Sequence, residues 1–423
     1  MRKATFIIAL LLLTSNTAWA QFAATDLPQS TGFIPERLDR IDDMINAEII
    51  DGNIPGAVAM VVRNGQIAYF KSFGVAGIET QTPMRKDHIF RIASMTKAVT
   101  AVAAMTLYER GLFQLNDPVS KYIPEYANMR VVSEVDSNGN VSATVPATTP
   151  IKIIDLFSHS SGISYPFLPS SVQQSYLDAG VISGLTSRDI SLASQMKLLA
   201  TQPLLFEPGS GYEYSLGLDL LGYLIEVISG KTLEQFFIDE IFTPLGMQDS
   251  YFYLPKSKHD RLVTLYADVG KEGLIVSQGN ESSLTFDNPL YPTGEVQAYF
   301  SGGAGLTSTA YDYARFMQML LNNGELEGTR ILSRKSVELM QKARIDSDGD
   351  QVPDYGLSFA IIGDLGKTGE LGSVGNYSWA GAFHTSFWID PSEDLTGVFL
   401  TQVRPTTTDV RNKIKTMVYQ ALE

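Results

Sequence analysis

The chain of 423 residues contains no cysteine. Disulfide staples are therefore excluded, and stability has to come from a buried core, which a chain of this length can supply. Positive charge is also scarce. Lys and Arg number 32 against 46 Asp and Glu, a formal net charge of −14, which argues against nucleic acid or an anionic membrane surface as partner. Beyond the first twenty residues no stretch is long and apolar enough to span a bilayer. No G-x-S-x-G turn occurs anywhere, so a Ser-His-Asp triad lacks its usual nucleophile elbow. There is no internal repeat and no low-complexity tract after the leader.

What is present begins with MRKATFIIALLLLTSNTAWA: a basic start, an apolar stretch from Phe6 to Leu13, and small residues at Ala18 and Ala20. This is the pattern of a secretory signal peptide covering residues 1–20. Its removal would leave a chain starting at Gln21. No cysteine stands near that site to carry a lipid, so a periplasmic or secreted protein without a membrane anchor is expected.

The run Gly56-AVAMVVRNGQIAYFKSFG reads as two strands joined at Asn64-Gly65, a strong hairpin signal. Near the other end, Ser386-FWIDP and Gly397-VFLTQV are strand-like around a turn at Pro391-Ser-Glu-Asp-Leu. Thr408 or Asp409 then caps a last helix carrying Val410, Ile414, Met417 and Leu422. Segments 94–110, 189–200, 218–229, 233–241 and 309–322 read as helices between Pro-, Gly- and Ser-rich loops. The expected fold class is α/β (α+β): an antiparallel sheet flanked by helices and built from both chain ends, plus a mostly helical domain. The corresponding division is 21–93 with 301–423 for the sheet and 94–300 for the helices, with the cleft between them as the natural place for a site.

Lys97 interrupts the otherwise uncharged run from Ile92 to Tyr108, three residues after Ser94. Positions i and i+3 share a helix face. An apolar surround and the positive end of a helix push such a lysine towards neutrality, and a neutral amine can take the proton of a serine hydroxyl. The backbone N–H of Ser94 would be a free donor at the helix start, available to an oxyanion. The tetrapeptide alone also fits a plain helix cap with a lysine reaching to water, and a second copy exists at Ser194 to Lys197.

Context decides further. Phe90-RIASMTKAVTAVAAMTLYERG, Leu115-NDPVSKYIPEY, Ile154-DLFSHSSGIS, Phe206-EPGSGYEYSLGLDLLGYLIE, Ser301-GGAGLTSTAYDYARFMQMLLNNGEL and Trp379-AGAFHTSFWIDP follow one another along most of the chain. Together they resemble the serine β-lactamase and penicillin-binding-protein superfamily, in particular its β-lactamase-like (family VIII type) carboxylesterases, and the resemblance implies a β-lactamase/transpeptidase-like fold. That superfamily combines S-x-x-K with a tyrosine box and a K-T-G box or its variant. Literal copies at Tyr126-Ala-Asn128 and Lys367-Thr-Gly369 stand in the wrong places, the first in a connecting stretch and the second in a glycine-rich run. The resemblance instead aligns the second box with Tyr214-Ser-Leu216 and the third with Trp379-Ala-Gly381.

It thereby implies Ser94 as nucleophile, Lys97 and Tyr214 as general base and acid, and the N–H groups of Ser94 and Ala382 as the oxyanion hole. Gly381 would let substrate approach the strand, and Trp379 would be either a substrate contact or a rim aromatic. Leu216 replaces the asparagine that holds an amide, and Trp379 replaces the cation that attracts a carboxylate. Both departures favour an esterase over a β-lactamase or D-amino-acid peptidase. An acyltransferase of the same superfamily, or a non-catalytic cell-wall-binding homologue, are the other readings.

His159 reads as structural, and His384 at most lines the cleft. Asp346, Asp348, Asp350 and Asp354 resemble a calcium loop, but the twelfth position is Leu357 rather than glutamate, so a solvated acidic turn explains them equally. Asp136-SNGN reads as a hairpin turn. The long stretch from Thr264 to Tyr299 is placed to shape specificity. No organic cofactor and no catalytic metal are implied, the partner expected is a small ester or amide substrate, and the oligomeric state is open.

Overall fold

Asn64 and Gly65 both adopt positive φ, 52° and 69°, the geometry a two-residue hairpin turn needs. They join the strands Gly56–Arg63 and Gln66–Gly77. The computed structural model describes residues 22–24, 28–186, 188–278, 291–345 and 354–423; the leader and Asp346, Asp348 and Asp350 of the acidic loop lie outside them. The hairpin belongs to a nine-stranded sheet. Its order runs Ala23–Ala24, Gln66–Gly77, Gly56–Arg63, Leu395–Leu400, Thr385–Asp390, Tyr377–Gly381, Ala360–Ile361 and Asp354–Tyr355, with Thr82–Pro83 against Gln66–Gly77. Every pairing is antiparallel except that of Ala23–Ala24.

The central strand shows why the sheet is covered on both faces. Val58, Met60 and Val62 enter one core while Ala57, Ala59 and Val61 enter another, as the two-residue period of a strand requires. The second core is closed by the helices Pro35–Ile50 and Val410–Tyr419, through Leu38, Ile41, Ile45, Ile414 and Val418. Each such aliphatic side chain contributes about 1.5–3 kcal/mol on burial. Sequence reading missed the Pro35–Ile50 helix, although its buried residues recur at helical spacing and proline opens it. The first core holds the Ala310–Leu321 helix and the helices of the chain's middle.

Among the latter, Thr96–Glu109 is buried from Thr96 to Leu107. It differs from the expected helix over 94–110 in one respect that matters. Residues Ala93–Met95 form a separate 3₁₀ turn, entered through Ala93 at φ 45°, a left-handed conformation an alanine adopts only under constraint. Ser94 is therefore presented by a tight turn and not by the α-helix proper.

Candidate active site

Ser94 Oγ is approached from two sides. Tyr214 Oη donates to it at 2.6 Å and Lys97 Nζ at 3.3 Å. Lys97 is fully buried and spends its other contacts on Tyr165 Oη at 3.0 Å and the Gly303 carbonyl at 2.7 Å. Three acceptors around one amine fix it beside the serine. Its nitrogen also lies 4.6 Å from the Tyr214 ring centroid and 5.4 Å from that of Tyr165, distances at which an ammonium is attracted to a ring face. Burial holds the Tyr165 phenol well above its ordinary range, so it serves as an acceptor and packing group.

Behind Gly303 stands Asp219, fully buried, whose Oδ1 accepts the Ser301 hydroxyl at 2.6 Å. Burial raises its carboxyl, against the lowering influence of Ser301, Lys97 and the Gly303 N–H. A side chain on Gly303 would bring a carbon to 2.3 Å from Asp219 Oδ2. Only glycine lets that carbonyl reach the lysine.

Ser94 opens into a cavity of about 280 Å³ lined by Tyr165, Phe167, Tyr214, Trp379, Ala380, Gly381, Ala382, Arg404 and Arg411. The strand Tyr377–Gly381 thus brings Ala382 to the same space as Ser94. A hydroxyl held by a lysine and a tyrosine, at the floor of an aromatic cavity with backbone on either side, is an arrangement chemically able to support nucleophilic attack by that hydroxyl.

A protein-family model described as Beta-lactamase matches residues 38–421. The chain belongs to the beta-lactamase family. It is 34% identical over 373 residues to Protein Rv1367c of Mycobacterium tuberculosis, covering 85% of this chain and 88% of that one. It is 31% identical over 375 residues to Esterase EstB of Burkholderia gladioli, covering 86% of this chain and 89% of that one. Among solved structures, EstCE1, described as a hydrolase with promiscuous acyltransferase activity, superposes with TM-score 0.78 at 29% identity over 91% of this chain and 99% of its own. Membership in this family, with esterase relatives, makes the protein a serine hydrolase.

Within that family fold, the residues singled out from sequence come together unequally. Ser94, Lys97, Tyr214, Trp379, Gly381 and Ala382 converge. Trp379 packs 5.7 Å from the Tyr214 ring and 5.1 Å from Tyr355, so it is a wall of the cavity. Gly381 has a packing reason beside the one expected. An added Cβ would meet Thr385 Oγ1 at 2.2 Å and the Ile92 carbonyl at 2.4 Å, so its hydrogen permits the strand to press on the turn before Ser94 and not merely substrate to approach. Leu216 is wholly buried and does not line the cavity, which puts no side-chain amide at that place.

The rejected copies sit elsewhere. Tyr126 is buried and donates to the Met196 carbonyl at 2.7 Å; Lys367 and Thr368 belong to an exposed short helix. Ser194 donates its hydroxyl to the Ser191 carbonyl at 2.8 Å while Lys197 pairs with Glu125 at 2.9 Å on the surface. His159 is fully buried; its Nδ1 accepts the Ser215 N–H at 3.2 Å and its ring packs 4.7 Å from that of Tyr214. It holds the Tyr214 segment in place, and burial keeps it uncharged by pulling its pKa well down. His384 is buried and outside the cavity wall. Asp354 forms part of an edge strand. Among the described residues no cluster of acidic or histidine side chains is arranged to hold a metal ion.

Tyr165, Asp219, the Gly303 carbonyl and Arg411 were not singled out for this site from sequence. Tyr165 stands one residue beyond the matched run ending at Ser164, so extending that run would have found it. The carbonyl had no side-chain signal to find.

Proposed function

We propose that the protein is an exported carboxylesterase that cleaves small carboxylic esters through an acyl-enzyme on Ser94. The observation that carries this reading is the triple contact of Ser94 Oγ, Lys97 Nζ and Tyr214 Oη at the floor of an aromatic cavity. Ser94 Oγ attacks the ester carbonyl and its proton passes into the Lys97–Tyr214 pair. The backbone N–H groups of Ser94 and Ala382 take the oxyanion. Collapse expels the alkoxide, which recovers the proton from the pair, and water repeats the sequence on the acyl-enzyme. The relay requires only that Lys97 and Tyr214 together carry one proton fewer than ammonium plus phenol.

The aromatic wall at Trp379 and the absence of a side-chain amide at Leu216 favour esters over β-lactams or D-amino-acid peptides. Acyl transfer to an added alcohol is the second reading, supported by the likeness to EstCE1. The same proposal takes residues 1–20 as a leader and divides the rest into a sheet unit (21–93 and 301–423) and a helical unit (94–300). Ser94→Ala is expected to abolish hydrolysis of p-nitrophenyl butyrate above background; undiminished hydrolysis by that variant would overturn the assignment. A nitrocefin rate exceeding that on short esters would move the substrate class to β-lactams.

A further inference from the structure

We infer that Arg411 is an anion anchor beside the nucleophile, so that the preferred esters carry a second, negatively charged group; this deepens the esterase reading above and rests on it. Two arginines, Arg404 and Arg411, are the charged residues along the wall of the Ser94 cavity, and among the described residues no carboxylate lines it. For a chain of net charge −14 that is a local reversal of sign.

Arg411 differs from the cations near it. Lys413 pairs with Glu48 at 2.8 Å and Lys415 with Glu370 at 2.9 Å, whereas Arg411 makes no hydrogen bond or ion pair with any described residue. Its side chain is half-buried. Burial pulls its pKa below the usual guanidinium value, and Asp409, two residues upstream, opposes this only at longer range. Taking a guanidinium partly out of water without a partner is costly, and a carboxylate seated in its fork relieves that cost with paired, charge-assisted hydrogen bonds.

Position adds the rest. Arg411 also lines a second cavity of about 320 Å³, which shares Trp379 and Ala380 with the first. Arg411 therefore borders both spaces, the Ser94 cavity included. Trp379 stands where the family resemblance leads one to expect a lysine, and the positive charge of this cavity is supplied from the last helix instead.

The test compares matched ester pairs: mono-p-nitrophenyl adipate with p-nitrophenyl hexanoate, charged on the acyl side, and 4-acetoxybenzoate with 4-acetoxybenzamide, charged on the alcohol side. In at least one pair, Arg411→Gln should lower the anionic-to-neutral ratio of kcat/KM roughly ten- to hundredfold, the range for a lost hydrogen bond to a charged group. Arg411→Lys should restore part of the ratio. Asp409→Asn, which removes the nearest competing carboxylate, should raise it. Ratios unchanged from wild type in both pairs and all three variants would overturn the anchor. Hydrolysis that survives Ser94→Ala would instead sink the esterase reading itself, so the two failures are distinguishable.

Discussion

Replacing Tyr214 with phenylalanine removes one atom from the site and little else. The hydroxyl donates to Ser94 Oγ at 2.6 Å. The ring keeps its packing against His159 at 4.7 Å, Tyr165 at 5.3 Å and Trp379 at 5.7 Å. Stability should therefore change by no more than the ~1 kcal/mol typical of one hydrogen bond. The rate should change far more. A positioned acid–base group contributes about 10²–10⁴-fold, or about 3–5 kcal/mol of barrier at ~1.36 kcal/mol per decade. Steady-state hydrolysis of p-nitrophenyl butyrate by Tyr214→Phe, with a thermal melt to confirm the fold, measures both. A fall of less than tenfold in a variant that melts like the wild type would mean that Lys97 serves Ser94 alone. The phenol would then be a packing group, and the relay described above would be wrong.

Gly381→Ala should cost about 1–3 kcal/mol through overpacking, since the new carbon meets the Ile92 carbonyl at 2.4 Å, and it should lower kcat because that carbonyl adjoins the turn carrying Ser94; a variant with wild-type kcat and melting temperature would refute the close-approach argument. Burial, with the charge of Arg411, depresses the His384 pKa from 6.5 to about 4, so the stability due to its neutral native form is whole above about 6.5 and is lost as pH falls towards 4. At pH 5 that loss is about 2 kcal/mol by linkage. His384→Asn, a residue that tolerates the φ of 67° found there, should reduce the drop in urea-unfolding stability between pH 7.5 and pH 5 by about that amount. Equal drops in both proteins would count against it.

How far the molecule was legible depended on whether a feature is local. Asn64-Gly65 announces its hairpin because two positive φ values are needed there, and the strands at Thr385–Asp390 and Leu395–Leu400 follow from β-rich runs around a turn. That Ser94, Lys97 and Tyr214 come together was legible because several matched runs surround them. Arg411 was passed over because its meaning lies in what it faces across the chain, not in its neighbours along it. The packing role of Gly381 was passed over for the same reason: its close neighbour, Ile92, is nearly three hundred positions away in sequence.

Lys97 is held mainly from beside its helix. Thr96 Oγ1 accepts the Leu306 N–H at 3.0 Å, the Gly303 carbonyl accepts from Lys97 at 2.7 Å, and the Gly302 carbonyl accepts from Thr100 at 2.6 Å. The same segment is tied to the neighbouring helix through Ser301 and Asp219, and to the preceding loop through the Tyr291 hydroxyl on the Gly305 carbonyl. A free lysine side chain holds up to about 2 kcal/mol of rotamer entropy, and here that entropy has been given up during folding, before any substrate arrives. Such advance ordering is what lets fixed donors act without reorganising in the reaction. Ser194 and Lys197 supply the contrast within one chain. Their spacing is identical, but among the described residues that amine meets no backbone carbonyl, and it turns outward to Glu125. The proposed relay therefore depends on the segment from Ser301 to Leu306 as much as on the tetrapeptide it orients.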